Sequence, residues 1–184
     1  MGKRRPGGEE KPEGVTHLNK EELVFKLDPR IGFRGSLDSL QAEVLIFQNF
    51  VKKRECFGLA SALGEILNWT REILGSDVTG RPVKERRILN LDYRQMRERS
   101  HHPGRYYGVD HFLPSEDMGE VLLGLNKLRT LVRQTELAAY RAYGTEEKNS
   151  PRAGVLEGLN RMSSFFYILM ILVRTGGEEA DCEH

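Results

Sequence analysis

Two cysteines and a single tryptophan among 184 residues are the first shortages of this sequence. Cys56 and Cys182 stand far apart with no metal-ligand spacing, so the chain reads as having no disulfide framework and as suited to a reducing compartment. An excess of either charge is also missing. Lys and Arg number 28 against 27 Asp and Glu, which leaves +1 and no global field to recruit nucleic acid or an anionic membrane. The longest apolar run, Phe165 to Val173, has nine residues, about half of what a membrane span needs. The start, MGKRRPGGEEKPEG, is basic but no apolar segment follows it, which argues against a secretory signal. No stretch alternates apolar and polar residues as a half-buried strand does, and nothing repeats at a fixed period. These absences leave a soluble, cytoplasmic chain whose length suits one domain and is short for two.

Helical periodicity is what the sequence does have. Residues 1–15 are Gly, Pro and charge and read as a disordered arm, and THLNKEEL reads as a short helix capped by Asn19. In KLDPRIGFRG, Lys26 to Gly35, Pro29 predicts a break in any regular helix and two glycines permit a close backbone approach. Ser36 then caps a helix carrying Leu37, Leu40, Val44, Phe47 and Val51, with Asp38 in its first turn. A second helix runs from near Phe57 to Leu74 and stops at Gly75. SDVTGRPVKERR is a polar link, Asn90 caps a short helix to about Arg99, and SHHPGRYYGVDHFLP (Ser100 to Pro114) is a loop. Ser115 opens a long helix that Gly144 closes. Ser150-Pro151 starts the last one, apolar nearly all round from Phe165 to Val173 and ended by Gly176-Gly177. The prediction is an all-α, up-and-down bundle of four to five helices over residues 16–176, with a loose acidic tail at 177–184.

Chemistry is concentrated in few places. Arg129, Arg133 and Glu136 stand at i, i+4 and i+7 on one helix, beside the apolar stripe Leu125, Leu128, Val132 and Thr135. Such a row suits a polyphosphate; a solvated face laced with ion pairs would have the same spacing. Lys26, Arg30 and Arg34 form a basic loop with the same two readings. Ser100 to Pro114 gathers three of the five histidines. His101, His102, His111 and Asp110 are ligand types without the spacing of a zinc site. Glu98 and His101 make one Glu-x-x-His, whereas a di-iron bundle needs a second copy and further glutamates. Cys56 starts an apolar helix and reads as core, and the sequence has no phosphate-loop or dinucleotide fingerprint.

FRGSLDSLQAEV, SHHPGRYYGVDHFLP, LNKLRTLVRQTE and LEGLNRMSSFFYILMIL resemble, in order and spacing, four blocks of the ethanolamine-utilisation type of ATP:corrinoid adenosyltransferases. The likeness runs from THLNKEEL to Val173, with a weaker one to the propanediol-utilisation type. It implies transfer of the 5′-deoxyadenosyl group of ATP to the cobalt of cob(I)alamin, with triphosphate released. It also implies a homotrimer with sites shared between subunits, ATP, cobalamin and Mg2+ as small molecules, and a flavin reductase as electron source. Arg129, Arg133 and Asp38 match catalytic positions, Asp38 as the partner of Arg129. Glu136 and Asn160 match ATP-binding positions, and the basic loop Lys26, Arg30 and Arg34 extends that set. Relatives of the propanediol type place an aromatic before a Leu-Pro step, here Leu113-Pro114, to fill the space of cobalt's lower ligand. That assigns the corrinoid wall to Phe112 with Tyr106 or Tyr107, and a supporting role to His111; Phe112 as a plain core anchor is the other reading. Ser164 stands where the propanediol type has an aspartate, as in the ethanolamine type. The Cys-Cys-x-x-Cys metal segment of enteric ethanolamine enzymes is not in this sequence, so no resident metal is expected. A non-catalytic ATP- or corrinoid-binding module is the alternative from another class, and a bare helical interaction protein the third.

Overall fold

Asp28 and Pro29 decide where the first long helix starts. The Asp28 carboxylate accepts the Arg30 N–H at 2.8 Å, and Pro29 takes the first helical position, where its missing N–H is not needed. Helix α1 therefore runs Pro29–Lys53 in the computed structural model, which describes residues 12–19, 22–144 and 152–177. The expected break at Pro29 is thus a helix start, and the expected basic loop is mostly helix. Ser36 and Asp38 lie inside α1, beyond its first turn. Ahead of it, β1 (Val15–His17) and β2 (Leu23–Phe25) pair antiparallel, with Thr16 opposite Val24. This hairpin replaces the short helix expected there. Asn19 does cap, but as a turn residue: its Oδ1 accepts the Glu22 N–H at 2.8 Å. Most of the expected arm (1–11) and tail (178–184) lies outside the described residues, as do Ser150 and Pro151.

Helix α2 spans Phe57–Thr79 and α3 Tyr93–His101. α4 spans Pro103–Tyr107, α5 Gly119–Tyr143 and α6 Ala153–Thr175. α2 passes through Gly75 because Ser76 and Asp77 have partners that hold the helix to Gly80. The Ser76 hydroxyl donates to the Arg81 carbonyl, and the Asp77 carboxylate takes bonds from Arg34 and Tyr143. Gly80, at φ 70°, is the stop. α3 is capped by Asp92 in a capping box with Gln95, whereas Asn90, expected in that role, sits at φ 61° in the preceding turn. Part of the expected Ser100–Pro114 loop is helical, as α4 and the end of α3.

The chain runs up α1, down α2, up α3 and the following loop, down α5 and up α6. Lys127 on α5 meets Glu43 on α1 at 2.8 Å, and Asn160 on α6 meets Glu136 on α5. The architecture is all-α, an up-and-down bundle in which α3 lies along the outside of α6. Phe33, Leu37, Leu63, Ile66, Trp69, Leu125, Val132, Phe165 and Leu169 are fully buried in its core. The predicted stripe of α5 is the buried one, and Gly144 closes that helix as expected. α6 has the length and composition of a membrane span over Gly154–Thr175, with mean hydropathy 1.3, yet 61% of that window is buried inside the bundle. Cys56 is buried at the start of α2, as expected of a core residue; Cys182 lies outside the described residues.

Candidate active site

α5 carries Arg129, Arg133 and Glu136 along its α6 side. Arg129 is half-buried, and its Nε and Nη2 both donate to Asn126 Oδ1, at 3.2 and 3.0 Å. Arg133 is exposed, one turn on. Among the described residues neither arginine has a carboxylate partner. Burial first, and then the charge of Arg133, holds Arg129 below the usual arginine value, with Tyr167 opposing. Two like charges a turn apart without a counter-ion favour any anion that enters between them. From α6, Asn160 Nδ2 donates to Glu136 Oε1 at 2.9 Å. Arg133, Glu136, Asn160, Tyr140 and Leu137 line a mainly polar hollow of about 420 Å³.

The neighbouring hollow, about 370 Å³, has a different lining: Phe112, Leu113, Pro114, Tyr167 and Met170, with Arg129 at its edge. His101, Ser163 and Ser164 line both hollows, so two serine side chains of α6 and the end of α3 are the partition. Tyr167 is the hub of the apolar side. Its hydroxyl lies 3.2 Å from the Phe112 N–H and 3.2 Å from His111 Nδ1. Its ring stacks on His111 at 5.7 Å and packs on Phe112 at 5.6 Å. The Arg174 guanidinium lies 4.4 Å from the Phe112 ring centroid. Phe112 is half-buried against the core, while Leu113 at the lip is 87% exposed.

The structure brings Arg129, Arg133, Glu136, Asn160, His111 and Phe112 to this double cleft. Other expected site residues stand elsewhere in the chain. Lys26 faces Glu13 at 3.7 Å, Arg30 donates to Glu22 at 3.0 Å, and Arg34 binds the buried Asp77 and the Leu18 carbonyl. Asp38 is exposed on α1 and makes no ion pair with Arg129 within the chain. Tyr106 Oη donates to Glu98 Oε1 at 2.5 Å, away from the apolar hollow, and Tyr107 packs against the core. Among the described residues no three His, Cys, Asp or Glu side chains are grouped to hold a metal. A larger concavity, about 990 Å³, shares His101 with the cleft; Arg94, Arg97 and Arg161 line it together with Glu85, Glu98 and Glu157, so neither charge dominates. Reading the sequence misses His101 and Ser163 as shared walls. Tyr167 is visible only as a polar residue on an apolar helix, at the i+7 position from Asn160.

Residues 8–173 match the cobalamin adenosyltransferase family. The corrinoid adenosyltransferase EutT of Escherichia coli (strain K12) is 36% identical over 162 residues, and that of Salmonella typhimurium (strain LT2) 35% identical over 167 residues. Each comparison takes in 88% of this chain, and the chain spans 59% of the length of these relatives. The match takes in both walls of the double cleft, from α3 to nearly the end of α6. The chain belongs to the cobalamin adenosyltransferase family.

Proposed function

We propose that the double cleft transfers the 5′-deoxyadenosyl group of ATP to the cobalt of a reduced corrinoid. The observation that carries this is the pair Arg129 and Arg133, without carboxylate partners among the described residues, set against an apolar hollow across two serines. The polar hollow receives the nucleotide, Arg133 and Arg129 taking the triphosphate, and Asn160 and Glu136 holding its position. The apolar hollow receives the corrinoid, with Phe112 toward the lower face of cobalt. An external reductant, reduced flavin from a flavin reductase, supplies one electron to cob(II)alamin. The lone pair of cob(I)alamin then attacks C5′ of ATP, the C5′–O bond breaks, and its electron pair leaves on triphosphate.

Cobalt is already the nucleophile, so the protein needs no general base; it must align two reactants and stabilise the departing charge. Magnesium would come with ATP, held chiefly by phosphate oxygens. Glu136 fits it, being a carboxylate in this hollow with one hydrogen bond among the described residues, from Asn160, and the ion would neutralise phosphate charge. Lys26, Arg30, Arg34 and Asp38 could serve the same site only across a subunit boundary, consistent with a homotrimer whose sites are shared. A cytoplasmic location fits these substrates.

ATP added to the protein with chemically reduced cobalamin should produce the absorption spectrum of a cobalt–carbon bond. Nucleotide binding without that spectrum would instead make the chain a non-catalytic binding module. Phe112→Ala should keep ATP binding and lose the four-coordinate cob(II)alamin spectrum in the ternary complex; its retention would remove Phe112 from the wall.

A further inference from the structure

The hydroxyl of Tyr167 has one donor and one acceptor to satisfy, and the surrounding groups fix which is which. His111 Nε2 lies 3.1 Å from the His101 carbonyl oxygen, which can only accept, so Nε2 carries the hydrogen. In the neutral ring Nδ1 is then bare and accepts the Tyr167 O–H at 3.2 Å. The Phe112 backbone N–H donates to the Tyr167 oxygen at 3.2 Å. The chain of bonds is therefore directed: Phe112 N–H to Tyr167, Tyr167 O–H to His111, His111 Nε2–H to His101. It joins α6, the loop after α4 and the end of α3. All four residues lie at the apolar hollow.

We propose that Tyr167 is a positioning residue of the corrinoid wall, its hydroxyl fixing the Phe112 backbone and, through His111, the end of α3. This rests on the reading of the apolar hollow as the corrinoid site. The packing alone does not do this. The Tyr167 ring would touch His111 and Phe112 equally well without its oxygen, but a ring contact leaves the loop free to slide along it. The hydroxyl sets the register, and with it how far the Phe112 ring reaches into the hollow. Phenylalanine at position 167 keeps the stacking and deletes both bonds.

Tyr167→Phe is therefore the test, read in two ways. In the free protein, exchange of the Phe112 amide hydrogen should accelerate at least about tenfold, and the His111 Nδ1 resonance should shift as its hydrogen-bond donor is lost while Nε2 keeps its hydrogen on the His101 carbonyl. Unchanged exchange and an unchanged Nδ1 resonance would overturn the bond chain whatever the ligand is. With ATP and cob(II)alamin present, the four-coordinate fraction should fall about fivefold or more while ATP affinity stays within about twofold. A wild-type-like spectrum in the variant would overturn the positioning role. His111→Ala, at an exposed residue, leaves the Phe112 bond to Tyr167 and should reproduce only part of the loss, and the double variant should be no worse than Tyr167→Phe alone; additive losses would overturn the chain through His111. Failure of the wild-type protein to form either the four-coordinate species or the cobalt–carbon bond would sink the corrinoid reading instead, and the exchange measurement would still decide the bonds.

Discussion

Arg133 is exposed and has no ion pair among the described residues, so its removal should cost the fold little. Arg133→Ala should leave stability within about 0.5 kcal/mol and lower turnover by about a hundredfold or more, the size expected for one group that stabilises a leaving anion. Steady-state kinetics beside a melting curve decide this, and near-normal turnover would remove Arg133 from the triphosphate site. Tyr106 makes a different prediction, about pH. Its bond to Glu98 is the first cause of the lowered Glu98 value and of its own raised one. The stabilisation through Glu98 is present above the usual carboxylate range and lost as pH falls through the lowered folded value. Through Tyr106 it is present below the usual tyrosine range and lost as pH rises through the raised one. The melting temperature of wild type minus that of Tyr106→Phe should therefore be flat from about pH 5 to 9 and shrink on both sides. A difference that ignores pH would mean the bond does not form in solution.

Among the helices, α1 and α5 approach closely at Gly124, where an added Cβ would overlap the Phe47 ring. Alanine favours a helix over glycine by up to about 1 kcal/mol, but overpacking of this kind costs about 1–3 kcal/mol. Gly124→Ala should therefore destabilise in a denaturant titration, and Phe47→Leu should restore part of the loss. The apolar faces of α1, α2, α5 and α6 were legible because their spacing is set by the same 3.6-residue turn that buries them. The ends were less so. Pro29 has opposite meanings inside a helix and at its first position, and the Asp28 bond to Arg30 decides between them. Gly75 looks like a stop until Asp77, one turn fragment later, finds Arg34 and Tyr143 from other helices. Strands of three residues are too short to show alternation, so the hairpin left no pattern to read.

At the scale of the molecule, Asp77 ties the start of α1 to the ends of α2 and α5, with a side chain only 1% exposed. Burial, and next its bond to Asp77, raises the Tyr143 value above the tyrosine norm. Asp77→Ala would strand Arg34 with the Leu18 carbonyl, and losing one member of such a pair costs about 3–5 kcal/mol. The denaturant midpoint should fall with little change in slope; a midpoint near wild type would show the pair to be dispensable. The candidate cleft was partly legible for a similar reason of locality. Arg129, Arg133 and Glu136 share one helix face and betray themselves by spacing, and Asn160 and Phe112 by resemblance. His101, Ser163 and Tyr167 reach the cleft only once α3, α5 and α6 meet, and no local pattern encodes that meeting. α6 also acts as a ruler. Asn160 and Tyr167, seven positions apart, lie on one face with an axial separation of about 10.5 Å, and they anchor the polar and apolar hollows respectively. One residue inserted between them would rotate one anchor about 100° from the other. Such an insertion should abolish the proposed adenosyl transfer in protein that still binds nucleotide, and an unchanged rate would show that the spacing along α6 does not align the two hollows.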